Sequence, residues 1–122
     1  MDGRRLGRLA LTADAAYCAL AAACLVIFAR PLSDNLGVPI EAVVLAAVGT
    51  AGWAAMLRLA SRHGPLRPWL IRVLAANIVA VGLIGALAAT RPPDALSLLL
   101  VAVALEVAAF AVVQASALRR LV

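Results

Sequence analysis

Four apolar runs, each about 20 residues or longer and separated by short breaks of Pro, Gly, Asp, Asn and Arg, leave this chain few ways to fold. The runs cover about Leu9 to Ala29, Pro39 to Ala60, Trp69 to Thr90 and Ala95 to Leu118. Each is long enough to cross a hydrocarbon layer of about 30 Å as a helix. Strands are set aside, because the runs show no period-two alternation and are about twice the length of a barrel strand. In lipid an isolated run of this kind satisfies its backbone only as a helix.

Composition agrees. Of the 122 residues, 66% are apolar and 14% are charged, against roughly 25% charged in a soluble domain. A single domain of this size could not hide so much apolar surface from water. The expected fold is therefore all-α: one membrane domain, a four-transmembrane-helix bundle whose first partner is the lipid bilayer.

All eleven basic residues are arginines, and they set the orientation. Arg4, Arg5 and Arg8 precede the first run, Arg58, Arg62, Arg67 and Arg72 surround the second connection, and Arg119 and Arg120 follow the fourth. Arg30 and Arg91 alone fall on the other side. The positive-inside rule then puts both termini in the cytoplasm, for a multi-pass protein of the cell inner membrane. Trp69 is expected to anchor the third run at the inner interface. The arginines form no patch interleaved with aromatics, so nucleic acid is not an expected partner.

The first run has a basic start and an Ala21-Ala22-Ala23-Cys24 segment that loosely resembles a lipoprotein cleavage site. It is expected to be retained as a span, because Asp14 interrupts it and the apolar run continues past Cys24 to Ala29. Cys18 and Cys24, about 9 Å apart along a helix and on different faces, are too distant for a disulfide and are read as small buried residues. Ala29-Arg30-Pro31 with Asp34 and Thr90-Arg91-Pro92 with Asp94 close the first and third runs alike, and both are read as ordinary turns.

Polar side chains inside the runs carry the most information, since they cost several kcal/mol in hydrocarbon and normally face protein or water. Counting depth from the outer helix ends brings Glu106 and Asn77 to the midplane, with Tyr17 and Thr50 in the same layer. Glu106 has no basic residue at its depth and is expected to hydrogen-bond to Asn77 or to a partner chain. Nearer the arginine-rich side, Asp14, Arg72 and Gln114 form a second layer. There Asp14 and Arg72 are expected to pair, failing which Arg72 turns to the interface. Asn77 and Gln114 are read as interhelical hydrogen-bonding groups, and Glu41 as an acid at the start of the second helix. Rows of small residues, Ala15/Ala19/Ala23, Ala47/Ala51/Ala55 and Gly82/Ala86, are expected at close helix contacts.

His63 is the only histidine and lies in a connection, so no span supplies paired haem ligands. The sequence carries no zinc-type cluster, phosphate loop or nucleophile with a base. No cofactor and no enzymatic activity are expected.

The segments Leu36-Gly37-Val38-Pro39 before the second run, Ala76-Asn77 in the third and Phe110-Ala111-Val112-Val113-Gln114 in the fourth resemble a family of small four-helix membrane proteins from actinobacteria. The likeness spans most of the chain and implies a four-helix membrane fold with no assigned chemistry. The chain is unlike the small multidrug-resistance transporters, which carry a glutamate in the first helix where Asp14 stands here. It also lacks the glycine-rich and arginine-containing signatures of small fluoride channels. The expected function is non-enzymatic association, as an accessory subunit of a membrane complex or as a homo-oligomer. The alternative is a small oligomeric transporter or channel with a midplane Glu106/Asn77 site. A third reading gives Arg58, Arg62 and Arg67 to anionic lipid headgroups.

Overall fold

A computed structural model describes residues Met1 to Leu121. Five helices account for nearly all of them: α1 (Gly3–Ile27), α2 (Ala29–Leu36), α3 (Ile40–His63), α4 (Leu66–Ala89) and α5 (Ala95–Arg119). No strand occurs among the described residues. α1, α3, α4 and α5 are long and apolar enough to cross a membrane, so the all-α, four-span reading holds.

The helix ends follow from local chemistry. α1 begins six residues before the first apolar run because Asp2 accepts the Arg5 amide at 2.8 Å, capping a helix that Arg4, Arg5 and Arg8 are well suited to continue. α5 begins the same way, with Asp94 accepting the Ser97 amide at 2.8 Å. α3 starts directly after Pro39 with Glu41 in its first turn and ends on Arg62 and His63, which suits the helix dipole at both ends. Pro68 is tolerated in the first turn of α4, where its missing N–H has no helical acceptor.

The short helix α2 was not expected. Arg30-Pro31 opens it instead of breaking the chain, because a proline in the first turn forfeits no hydrogen bond. The Asn35 amide donates to the Pro31 carbonyl at 2.8 Å, and Gly37, at φ 67°, ends the helix in the left-handed conformation. The look-alike segment Arg91-Pro92-Pro93-Asp94 stays irregular, since two consecutive prolines and the Asp94 cap start α5 at once. Arg91 and Asp94 pair across it at 3.4 Å.

The chain divides into two compact units. In the first, Met1–Ala10 joins the residues from Pro65 onward, and α4 and α5 form a closely packed helical hairpin. The Ser97 hydroxyl donates to the Ala88 carbonyl at 3.5 Å near the hairpin turn. The two ends of the chain meet here: the Arg120 guanidinium donates to the Met1 carbonyl at 3.1 Å. Gly3 and Gly7 permit the approach, because a Cβ on Gly3 would lie 2.6 Å from the Arg120 backbone and one on Gly7 would lie 2.9 Å from the Leu70 Cδ1. The second unit, Leu11–Gly64, contains the rest of α1, α2 and α3, with α2 packed on α3.

Most buried apolar residues are alanines, among them Ala15, Ala22, Ala47, Ala54, Ala104 and Ala117. Large side chains such as Leu20, Leu45, Leu83, Leu98 and Leu105 are more than 60% exposed. Such an arrangement requires lipid around it. The rows of small residues behave unequally: Ala15 and Ala47 are buried, but Gly82 has no atom within 4 Å of the position its Cβ would take, and Ala86 is exposed. Gly82 and Ala86 therefore form no contact row among the described residues.

Gly7→Leu should lower the thermal midpoint of the detergent-solubilised protein by overpacking against Leu66 and Leu70, an effect of about 1–3 kcal/mol. Gly82→Ala should leave it unchanged or raise it slightly. Thermal unfolding followed by circular dichroism reads the difference.

Candidate functional site

The polar residues of the spans separate into three kinds of environment. Asn77 on α4 and Gln114 on α5 are both buried, and the Asn77 amide donates to the Gln114 Oε1 at 2.9 Å. This bond joins residues that depth counting had put in different layers. Gln114 lies nineteen residues from the start of α5 and Asn77 twelve from the end of α4, an offset of about 10 Å along the axes. Side-chain direction closes that gap. Helical side chains lean toward the N-terminus of their own helix, so in an antiparallel pair Asn77 and Gln114 lean toward each other.

Glu106 is not brought to Asn77. It lies eight residues before Gln114, about 12 Å along α5 and roughly 80° around it. Ala104, Val107, Gln114 and Ala117 form the buried face of the helix, whereas Glu106 is exposed. Its carboxylate has no hydrogen-bond or ionic partner among the described residues. Leu99, Ala102, Ala109 and Val113, at −7, −4, +3 and +7 from Glu106, are exposed with it. Glu106 thus stands at the centre of an otherwise apolar outward seam.

Asp14 is 2% exposed, and the Cys18 thiol, one turn on, donates to its Oδ1 at 3.6 Å. Arg72 belongs to the other unit, is exposed, and holds its guanidinium 5.3 Å from the centre of the Trp69 ring. The neighbour of the Arg72 guanidinium is thus an aromatic ring of its own helix. Thr50, read in the same layer as Glu106 and Asn77, donates to the Ala46 carbonyl of its own helix at 2.7 Å. Both cysteines are free thiols, and Cys24 is exposed, not buried as expected.

Arg58 and Arg62 are exposed on α3, and their guanidinium groups make no hydrogen bond or ion pair among the described residues; the Arg58 carbonyl accepts from the Ser61 hydroxyl at 2.8 Å. No group of three or more His, Cys, Asp or Glu side chains is assembled among the described residues. Comparison with known families, with curated proteins and with solved structures finds no match, and so lends no support to the actinobacterial resemblance.

The Asn77–Gln114 bond should behave as an interhelical clamp. Asn77→Leu and Gln114→Leu are each expected to destabilise the hairpin by about 0.6–2 kcal/mol, and the double variant by less than their sum. A double-mutant cycle in detergent, read by reversible unfolding, measures the coupling; strictly additive losses would contradict the bond.

Proposed function

We propose that this chain is a non-enzymatic integral membrane protein that acts by association, with the Glu106 face of α5 as its contact surface. The observation that carries the proposal is the carboxyl group of Glu106, exposed near the middle of a span and without a partner among the described residues. An ionisable side chain at that depth facing lipid costs about 2.5–3.5 kcal/mol even on insertion scales. A donor supplied by a neighbouring helix offsets that cost. Ala102 and Ala109, one turn to either side, allow such a helix to approach closely, while Leu99 and Val113 extend the seam. The neighbour is an accessory complex in which this chain is a subunit, or a second copy of the chain.

A midplane transport site shared by Glu106 and Asn77 has less behind it. Asn77 is buried against Gln114, and Glu106 is on the outward face.

Glu106→Leu removes the polar group without disturbing the buried face of α5. It should abolish recovery of the partner or oligomer in mild detergent while leaving membrane insertion intact, and Glu106→Gln should retain much of it. Disulfide crosslinking of Ala102→Cys, on a background with Cys18 and Cys24 replaced by Ala, reads the same contact in the membrane. Recovery of monomer alone from the wild type, with no partner, would remove the proposal.

The orientation in the membrane follows the arginines. Arg119 and Arg120 lie at the same end of the first unit as Arg4 and Arg5, because Met1 and Arg120 touch. With Arg58, Arg62 and Arg67 these supply the positive excess that is retained in the cytoplasm, so both termini are assigned there, in the inner membrane of the cell. Reporter fusions at each terminus should therefore both report a cytoplasmic location. Opposite results at the two ends would refute an even number of spans.

A further inference from the structure

Within the second unit α1 and α3 do not close along their whole length. Two adjoining hollows, of about 470 and 520 Å³, share Ala19 and Ala51 and so form one continuous groove. Toward one end its walls are apolar, with Ala22 and Ala47 and the larger Val26, Ile27 and Val48 among them. At the other end it finishes at Thr12 and Arg58. The groove is shallow and open along its side to whatever surrounds the helices.

Three properties decide the occupant. First, the groove is amphipathic in one direction only, with apolar side chains, mostly alanine, along its length and a guanidinium at its end. Second, from Arg58 to Ala47 it follows eleven residues of α3, about 16 Å, or roughly the depth of one leaflet of a bilayer. Third, the Arg58 guanidinium makes no hydrogen bond or ion pair among the described residues, and that of Arg62, four residues on and on the same helix face, makes none either. A phospholipid meets all three: an acyl chain one leaflet long along the alanines and a phosphate at the arginines. A transmembrane helix laid in the groove would cover the alanines but leave the guanidinium without an anion.

We infer that the α1/α3 groove is a binding site for an anionic phospholipid, with its acyl chain against Ala19, Ala22, Ala47 and Ala51 and its headgroup on Arg58. Arg62 adds a second cation at the headgroup level. The lipid fills space that side chains leave empty between two helices and neutralises charge that no described residue neutralises. The site is separate from the Glu106 seam, which belongs to the other unit, and it does not depend on that reading.

The test uses the full chain in phosphatidylcholine liposomes. Phosphatidylglycerol or phosphatidylcholine bearing a photoreactive diazirine in the acyl chain is added as a minor component, and labelled residues are mapped by mass spectrometry. Labelling of α1 and α3 along the groove should be roughly fivefold greater with the phosphatidylglycerol probe, the factor expected for about one added arginine contact. Arg58→Gln should bring the ratio of the two probes close to one. Ala51→Phe, at an exposed position that accepts bulk, should lower groove labelling by both probes while labelling of the outer face of α5 stays constant and reports insertion. Equal labelling of the wild type by the two probes, a ratio unmoved by Arg58→Gln, or groove residues crosslinked to another protein chain would each overturn the inference. The first of these needs no variant, so failure of a variant to insert does not protect the proposal.

Discussion

Hydrocarbon gives a helix every reason to form and no reason to touch another helix. Each backbone amide must be satisfied within its own helix, which accounts for the long uninterrupted spans and for turns confined to the breaks between them. Once formed, the helices gain nothing by hiding leucine, because lipid accepts it equally well. The leucines accordingly face outward, and contact is left to residues small enough for backbones to approach. Gly3 and Gly7 are the sharpest cases, since any Cβ there would collide with Arg120 or Leu70.

Under that constraint each polar side chain in a span is exceptional, and the chain deals with them differently. Asn77 and Gln114 satisfy each other at the centre of the α4/α5 hairpin. Thr50 and Ser116 donate back to the carbonyls of Ala46 and Val112 on their own helices. Arg72 rests on Trp69. The Glu106 carboxylate, like the guanidinium groups of Arg58 and Arg62, is exposed and has no partner among the described residues.

The existence and number of the spans were legible because apolar length is a direct readout of bilayer thickness. Boundaries were less so: hydropathy excludes Arg4, Arg5 and Arg8 from α1, although arginine is a good helix former and Asp2 caps the helix ahead of them. α2 was hidden by the proline in its first turn, which reads as a break in sequence and as a helix start in space. Depth counting brought Asn77 to Glu106 because it followed Cα positions and ignored the lean of side chains, which carries Asn77 to Gln114 instead. The outward placement of Glu106 had no signal at all. α5 is apolar on every side, so its periodicity marks no face as inner or outer.

Exposure alone does not make Glu106 and Arg58 equivalent, because depth decides what each can reach. Arg58 lies five residues from the end of α3, about 8 Å along the axis, and its long stem can carry the guanidinium to the headgroup layer. Glu106 lies eleven residues inside α5, about 16 Å from its start, with a shorter side chain and hydrocarbon on either side. A lipid phosphate answers the first residue and cannot answer the second. For Glu106 the only donors available at that depth are on another protein helix, and Glu106 and Arg58 therefore point to two different kinds of neighbour.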